Sequence, residues 1–351
     1  MTNLFRTILL LALAGLALFP SLSVGAGKAE ISTAPMKAAD LVTDGQPIDL
    51  TSPRYVELFQ ELRVRHGFAQ EELLRLFAGV TIRKRVLELM DTQWEAKPYY
   101  LYWPLFITPQ VVEEGRRLRE QHAALLDAVE KQFGVERDIV LAIWGIESRF
   151  GKSAGAYNLF QTLNTMYDAY PRRRDFYRAE LVAFLLLCRE SGVAPLTVTG
   201  SYGGAFGQTQ FIPSSFQQYA VDFDGDHKKD VWQSVPDVLA SIANYLKESG
   251  WVWGAPVYRE LGEELKGEPL TAALQKGRKG LVPWQQVAAL QGLALPPSPG
   301  DLGLTIVGLE LADGGLRYVA AYPNFQAITK WNNSNRYAMA VSELAERLRG
   351  K

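Results

Sequence analysis

Glu147 has the setting that most invites chemistry. It stands near the end of the run IVLAIWGIESRFG at 139–151. Val140, Ile143, Glu147 and Phe150 recur at helical intervals, so they line one face of an α-helix. Three of these four positions are apolar, which puts the carboxylate on the stripe the helix buries. A carboxyl group among apolar neighbours resists ionisation and can donate a proton near neutral pH. Gly151 offers a stop, which would leave Glu147 about one turn from the helix end. The alternative is a structural ion pair with Arg149 or with one of Arg172, Arg173 and Arg174.

Other stretches could hold a ligand. TGSYGGAFGQTQFIPSSF at 199–216 is rich in glycine, and Ser201, Gln208, Thr209 and Gln210 add neutral hydrogen-bonding groups. Such a loop can close around a ligand rich in hydroxyls and amides, or it can be a plain connector. Tyr99, Tyr100, Tyr102, Trp103 and Phe106 crowd residues 98–106. Rings in that number pack a core or, when exposed, stack on sugars. The triplet Arg172-Arg173-Arg174 is a solvated face or, beside an acidic polymer, a carboxylate clamp. In DFDGDHKKD at 222–230, Asp222, Asp224 and Asp226 supply oxygens at positions one, three and five of a calcium loop. Lys228 would give a main-chain carbonyl at seven and Asp230 an acid at nine. His227 at position six and Gln233 at position twelve break the pattern. A truncated calcium site is the reading that relieves the mutual repulsion of four acids; the alternative is an acidic surface turn.

These groups need helices to position them. Tyr55 to His66 carries Val56, Phe59 and Leu62 on one face and ends at Gly67. Glu71 to Phe77 and Ile82 to Met90 are short amphipathic segments. Thr108 with Pro109 starts a helix that runs to about Phe133 and stops at Gly134. Asp175 to Ser191 is apolar nearly all round and ends at Gly192. Ser234 with Asp237 is a capping signature for a helix to Lys247. Residues 255–300 are weakly patterned, with a short helical piece at 285–291. Leu304 to Leu311 and Leu316 to Ala321 flank Ala312-Asp313-Gly314-Gly315 and read as a β-hairpin. Ser334 to Arg349 is a last helix, with Tyr337, Val341, Leu344 and Leu348 on one face.

The 351 residues are 48% hydrophobic and carry a formal net charge of −1, which gives no footprint for nucleic acid or an anionic membrane. Arg6, the apolar run Ile8 to Leu18 and Val24-Gly25-Ala26 read as an export signal cleaved near Ala26. The expected location is a bacterial periplasm. Residues 27–50 read as a flexible lead-in. Cys188, the one cysteine, falls in an apolar run as a buried free thiol, and no cysteine lies where a lipid anchor would be attached.

Five blocks together resemble the lytic murein transglycosylases of the B type: GIESRFG around Glu147, YPRRRDF at 170–176, GSYGGAFGQTQFIPSSF at 200–216, YAVDFDGDHKKDVW at 219–232 and ITKWNNSNRYAMAV at 328–341. The resemblance implies a mainly α, lysozyme-like helical fold over residues 51–349, with a small β insertion at about 255–325. It places Glu147 on the single catalytic acid/base. Ser201 and Gln210 fall on groups holding the substrate, Arg172 and Arg173 on residues contacting the peptide-bearing sugar, and Tyr102 on a sugar-contacting aromatic. Asn332 matches the Asn of a C-terminal Tyr-Asn pair and Trp331 replaces its Tyr, and the resemblance implies that both contact the substrate. Phe176 replaces another Tyr, so a hydroxyl contact is lost there. The acidic loop falls on the family's calcium loop.

The implied substrate is the glycan strand of peptidoglycan, with cell-wall synthesis proteins as candidate partners. The implied reaction breaks the MurNAc-β-1,4-GlcNAc bond without water and needs no cofactor. One carboxyl group suffices if the substrate's C6 hydroxyl is the nucleophile. A muramidase using Asp168 or Asp175 as second carboxylate is the rival, and an inert peptidoglycan-binding module is another.

Overall fold

A computed structural model describes residues 37–91 and 97–350. The export segment therefore lies outside the described residues. The chain begins with α1 (Pro53–His66), α2 (Gln70–Phe77), α3 (Lys84–Asp91) and α4 (Tyr99–Tyr102). Gly67 closes α1 in the left-handed region, as expected. The buried face of α1 is Tyr55, Leu58, Phe59 and Leu62, whereas Val56 is exposed, so the expected stripe was out of phase at that position. Within the expected lead-in, Ala38, Ala39 and Ile48 pack into the core.

The expected helix from Thr108 to Phe133 is two: α5 (Pro109–Gln121) and α6 (Ala123–Phe133). Thr108 caps α5 by accepting from Val111 N. The chain bends at His122, and α5 then packs on the last helix while α6 packs on the helix Val235–Glu248. Next come α7 (Arg137–Ser148), β1 (Tyr157–Asn158), α8 (Leu159–Ala169), α9 (Arg174–Ser191), β2 (Thr199–Gly200), α10 (Pro213–Tyr219) and α11 (Val235–Glu248). Ser234 accepts from Asp237 N, as the capping signature predicts. Cys188 is a buried free thiol, and burial pushes its pKa up to about 12.

A small sheet follows: β3 (Tyr258–Gly262), α12 (Glu268–Lys276), β4 (Leu281–Val282), α13 (Trp284–Gln291), β5 (Leu304–Glu310) and β6 (Leu316–Ala321). The hairpin β5–β6 forms as expected, but it is the centre of a four-stranded antiparallel sheet in the order β3-β6-β5-β4. Leu261, Leu270, Val287, Leu304, Ile306 and Tyr322 build a hydrophobic cluster there, separate from the large helical core. The chain returns to that core through α14 (Pro323–Trp331) and α15 (Asn335–Arg349). Tyr337, Val341, Leu344 and Leu348 of α15 are buried, as their spacing predicts, and α15 lies against α7 and α5. Among the described residues no helix is long and apolar enough to cross a membrane.

Candidate active site

Residues Asp138 to Ser148 of α7 are buried throughout, and Glu147 is 2% exposed. The helix does not run on to Gly151. It ends at Ser148, because Arg149 takes the left-handed conformation at φ 50° and Phe150 and Gly151 follow at φ 58° and 82°. Arg149 N donates to Gly145 O and Phe150 N to Trp144 O, a Schellman-like close without glycine at the cap. The glycine is needed two residues later: a Cβ at Gly151 would lie 2.3 Å from Gln208 Oε1. Glu147 thus sits in the last turn, beside a backbone reversal that meets the glycine-rich loop.

The ion-pair alternative for Glu147 does not form. Its Oε1 accepts from Trp331 Nε1 at 2.9 Å and from Tyr337 Oη at 2.5 Å. Burial pushes its pKa up to about 7, against the pull of the Tyr337 and Trp331 hydrogen bonds. With both donors on Oε1, the proton of the neutral acid belongs on Oε2. Tyr337 is itself buried, and its pKa is raised by burial and by the Glu147 charge, so it stays a donor.

The loop at 199–216 is buried and tightly bonded rather than open. Ser201 N donates to Ala205 O at 2.7 Å, Ala205 N to Ser201 Oγ at 3.0 Å and Phe206 N to Phe211 O at 2.9 Å. Gln208 accepts from Trp144 Nε1 at 2.9 Å and donates to Trp232 O at 2.8 Å, which ties the loop to α7. Gln210 holds φ 51° and donates from Nε2 to Gly207 O at 2.7 Å and Ala154 O at 3.1 Å, leaving its buried Oε1 without a hydrogen bond. Non-glycine residues in the left-handed region are uncommon, and here they stand on both sides of one contact, at 149–150 and at 210. Phe211 then packs on Trp331 with ring centroids 5.1 Å apart, and Tyr245 of α11 flanks the same indole at 4.7 Å.

Of the residues singled out from sequence, the structure brings together Glu147, Trp331 and the 201–211 loop. Asn332 is buried at the end of α14 beside them. Tyr102 is buried on α4 against Phe106 and acts electrostatically on Tyr337. Among the described residues no ion pair joins the basic triplet to Glu147. Arg172 pairs with Asp91 at 2.9 Å, and Arg173 lies 4.1 Å over the Phe176 ring. The sequence marks Tyr337 only as a core residue of the last helix. A tyrosine on a buried stripe needs a partner for its hydroxyl, and that was the available signal. The rival carboxylates are placed otherwise: Asp168 is held by Arg54, and Asp175 is exposed at the start of α9.

In the acidic loop, oxygens of Asp222, Asp224 and Asp237 lie within 4.8 Å of one another. Asp237, read from sequence as part of a cap, accepts from Phe223 N and Asp230 N at 2.7 and 2.8 Å. Asp226 accepts from Lys228 N, and Asp230 accepts from Trp232 N and Gln233 N. Burial and the neighbouring Asp224 charge both raise the Asp237 pKa. Three converging hard oxygen ligands fit a calcium ion.

The chain is 33% identical over 305 residues to membrane-bound lytic murein transglycosylase B of Escherichia coli (strain K12), covering 84% of this chain and 82% of that one. The soluble lytic transglycosylase SltB1 from Pseudomonas aeruginosa is similar at TM-score 0.76 and 37% identity, over 85% of this chain and 100% of that structure. The E. coli lytic transglycosylase Slt35, solved in complex with calcium, is similar at TM-score 0.76 and 32% identity, over 87% and 96%. The mainly α, lysozyme-like fold with a small late β element is therefore as expected. Residues 51–346 match the family described as the transglycosylase SLT domain, and with a buried acid at the heart of that span the chain belongs to this family as a peptidoglycan lytic transglycosylase.

Proposed function

We propose that the chain cleaves the MurNAc-β-1,4-GlcNAc bond of exported peptidoglycan without water, with Glu147 as acid and then base. The observation that carries this reading is a buried carboxyl group whose hydrogen bonds come from Trp331 and Tyr337. Glu147 Oε2–H protonates the glycosidic oxygen, the C1–O bond breaks, and the GlcNAc O4 hydroxyl leaves. The N-acetyl group of MurNAc stabilises the cation at C1. The C6 hydroxyl closes onto C1, and its proton returns to the Glu147 carboxylate, giving a 1,6-anhydroMurNAc end. The carboxylate formed midway keeps both donors, which limits the cost of its burial. A pKa of about 7 suits a group that must give and take one proton in a cycle.

Around this centre, Ser201, Gln210, Asn332 and Tyr102 hold the glycan, and Arg172 and Arg173 meet the carboxylates of the stem peptide. Residues 1–26 direct the chain to the periplasm, and cell-wall synthesis proteins are its candidate partners. The product decides the chemistry. Digestion in ¹⁸O-labelled water should yield unlabelled muropeptides one water lighter than hydrolysis products, with no reducible end. Label at C1 would convert the enzyme into a hydrolase and make Asp168 and Asp175 the next residues to mutate.

The acidic loop is proposed as a structural calcium site, with Asp222, Asp224 and Asp237 as carboxylate ligands tying residues 222–230 to α11. The ion would neutralise clustered acids and takes no part in proton transfer. Calcium should raise the melting temperature, and Asp222→Asn with Asp224→Asn should remove the rise. A hundredfold excess over the dissociation constant corresponds to about 2.7 kcal/mol. Superimposable melting curves in calcium and in chelator would mean the loop is only a turn.

A further inference from the structure

The two donors to Glu147 come from either side of one short turn. Trp331 ends α14, Tyr337 lies in the first turn of α15, and residues 332–334 join them. The β element holds this turn from two sides. Arg278, between α12 and β4, donates from Nη1 to Asn333 Oδ1 and from Nε to Asn335 Oδ1 at 3.4 Å. Glu310, at the end of β5, takes the Arg336 guanidinium on both carboxylate oxygens and also accepts from Tyr99 N at 3.0 Å. A third link is covalent, since β6 leads into α14 through Tyr322. Ser334 Oγ accepts from Tyr337 N at 3.3 Å and completes the turn.

We infer that the β element is a positioning device for proton transfer, in which Arg278 fixes the 332–335 turn so that Trp331 and Tyr337 both reach Glu147 Oε1. The inference rests on the proposed role of Glu147. Both donors favour the ionised carboxylate. A turn that moves by a fraction of an ångström weakens two short bonds at once, because hydrogen bonds lose strength steeply with geometry. Arg278 needs no contact with substrate to act this way. Besides Glu147, the ionisable groups acting on Tyr337 are Tyr102 of α4 and Tyr245 of α11. Burial raises the Glu147 pKa and the Tyr337 and Trp331 hydrogen bonds oppose it, so weakening either bond moves it further up.

The test uses Arg278→Ala in the full chain on a soluble GlcNAc–MurNAc tetrasaccharide. Loss of donors raises the Glu147 pKa, so the alkaline limb of the rate profile should move up, by about half a unit or more, with kcat down about tenfold and KM within about twofold. In a Tyr337→Phe background the same change should have a smaller effect on kcat than in wild type, because one of the two contacts the turn positions is already gone and only the Trp331 bond is left to weaken. If Arg278→Ala does not fold, Asn333→Ala with Asn335→Ala removes the same clamp and is read the same way. A raised KM with an unmoved alkaline limb would make Arg278 a substrate contact and overturn the inference, as would additive effects with Tyr337→Phe. Glu147→Gln separates the two levels of argument. Full activity in that variant sinks the Glu147 reading itself; an inactive Glu147→Gln beside an Arg278→Ala profile that superimposes on wild type sinks only the positioning role.

Discussion

Glu147→Gln is expected to abolish turnover and leave a folded chain that still binds cell wall. The amide oxygen can accept from Trp331 and Tyr337 as Oε1 does, so the local structure keeps both hydrogen bonds. What disappears is the transferable proton, and losing an essential acid costs about a hundredfold to ten-thousandfold in rate. Stability should change in a pH-dependent way. An unfolded glutamate ionises near its model value of 4.5, whereas this one holds its proton to about 7. The contribution of the buried acid is therefore complete below the lower value and is lost as pH rises through the upper one. Relative to Glu147→Gln, wild type should lose up to about 3 kcal/mol across that window. Chemical denaturation of both proteins at pH 4.5 and pH 8 measures the difference. A variant that is less stable by the same amount at both pH values would mark Glu147 as structural, and more than a few per cent of residual activity would move the proton donor elsewhere.

The acid itself was legible because three apolar neighbours at helical spacing announce a buried position. Its partners were not. Trp331 and Tyr337 lie 184 and 190 residues away in sequence, and no local pattern couples them to Glu147. Trp331, which the resemblance places among the substrate contacts, also donates its indole N–H to the carboxyl group. Helix α8 lacks a clear apolar period for another reason. Its buried face includes Thr162, Asn164 and Thr165, so the apolar period is broken by polar residues that bond inward, Thr165 to Arg83 N and Asn164 to Phe160 O. Helix α12 is only nine residues long and lies between Gly267 and Gly277, too short for a period to stand out. In the acidic loop the spacing pointed to Asp222, Asp224, Asp226, Lys228 and Asp230, and the chain also folds Asp237 of α11 against Asp222 and Asp224. A carboxylate contributed from the following helix lies outside the register that a linear motif assumes.

Gly155→Ala should be among the most damaging single-methyl additions in the chain. Residues 149–155 grip the glycine-rich loop at Gly151 against Gln208, at Ala154 O under Gln210 Nε2, and at Gly155 against Gly200. The third contact has no slack. A Cβ at Gly155 would lie 2.1 Å from the Gly200 carbonyl carbon, 2.2 Å from its oxygen and 2.6 Å from Ser201 N, all of them backbone atoms. The residue also holds φ +94°, which side chains rarely adopt. Relief requires β1 and β2 to part, and β2 leads directly into Ser201. A cost of about 3 kcal/mol or more is expected from combined clash and backbone strain. Gly134→Ala is the control, since Gly134 has φ +66° with nothing within 4 Å of its Cβ, and it should cost only about 1 kcal/mol. Gly151→Ala should fall between them, because the atoms it meets belong to a side chain that can swing away at the expense of the Trp144 and Trp232 hydrogen bonds. Activity measured well below each melting temperature should follow the same order, since only the first and third substitutions disturb the loop beside Glu147. Equal melting temperatures for Gly155→Ala and Gly134→Ala would show that the 149–155 segment does not hold the loop.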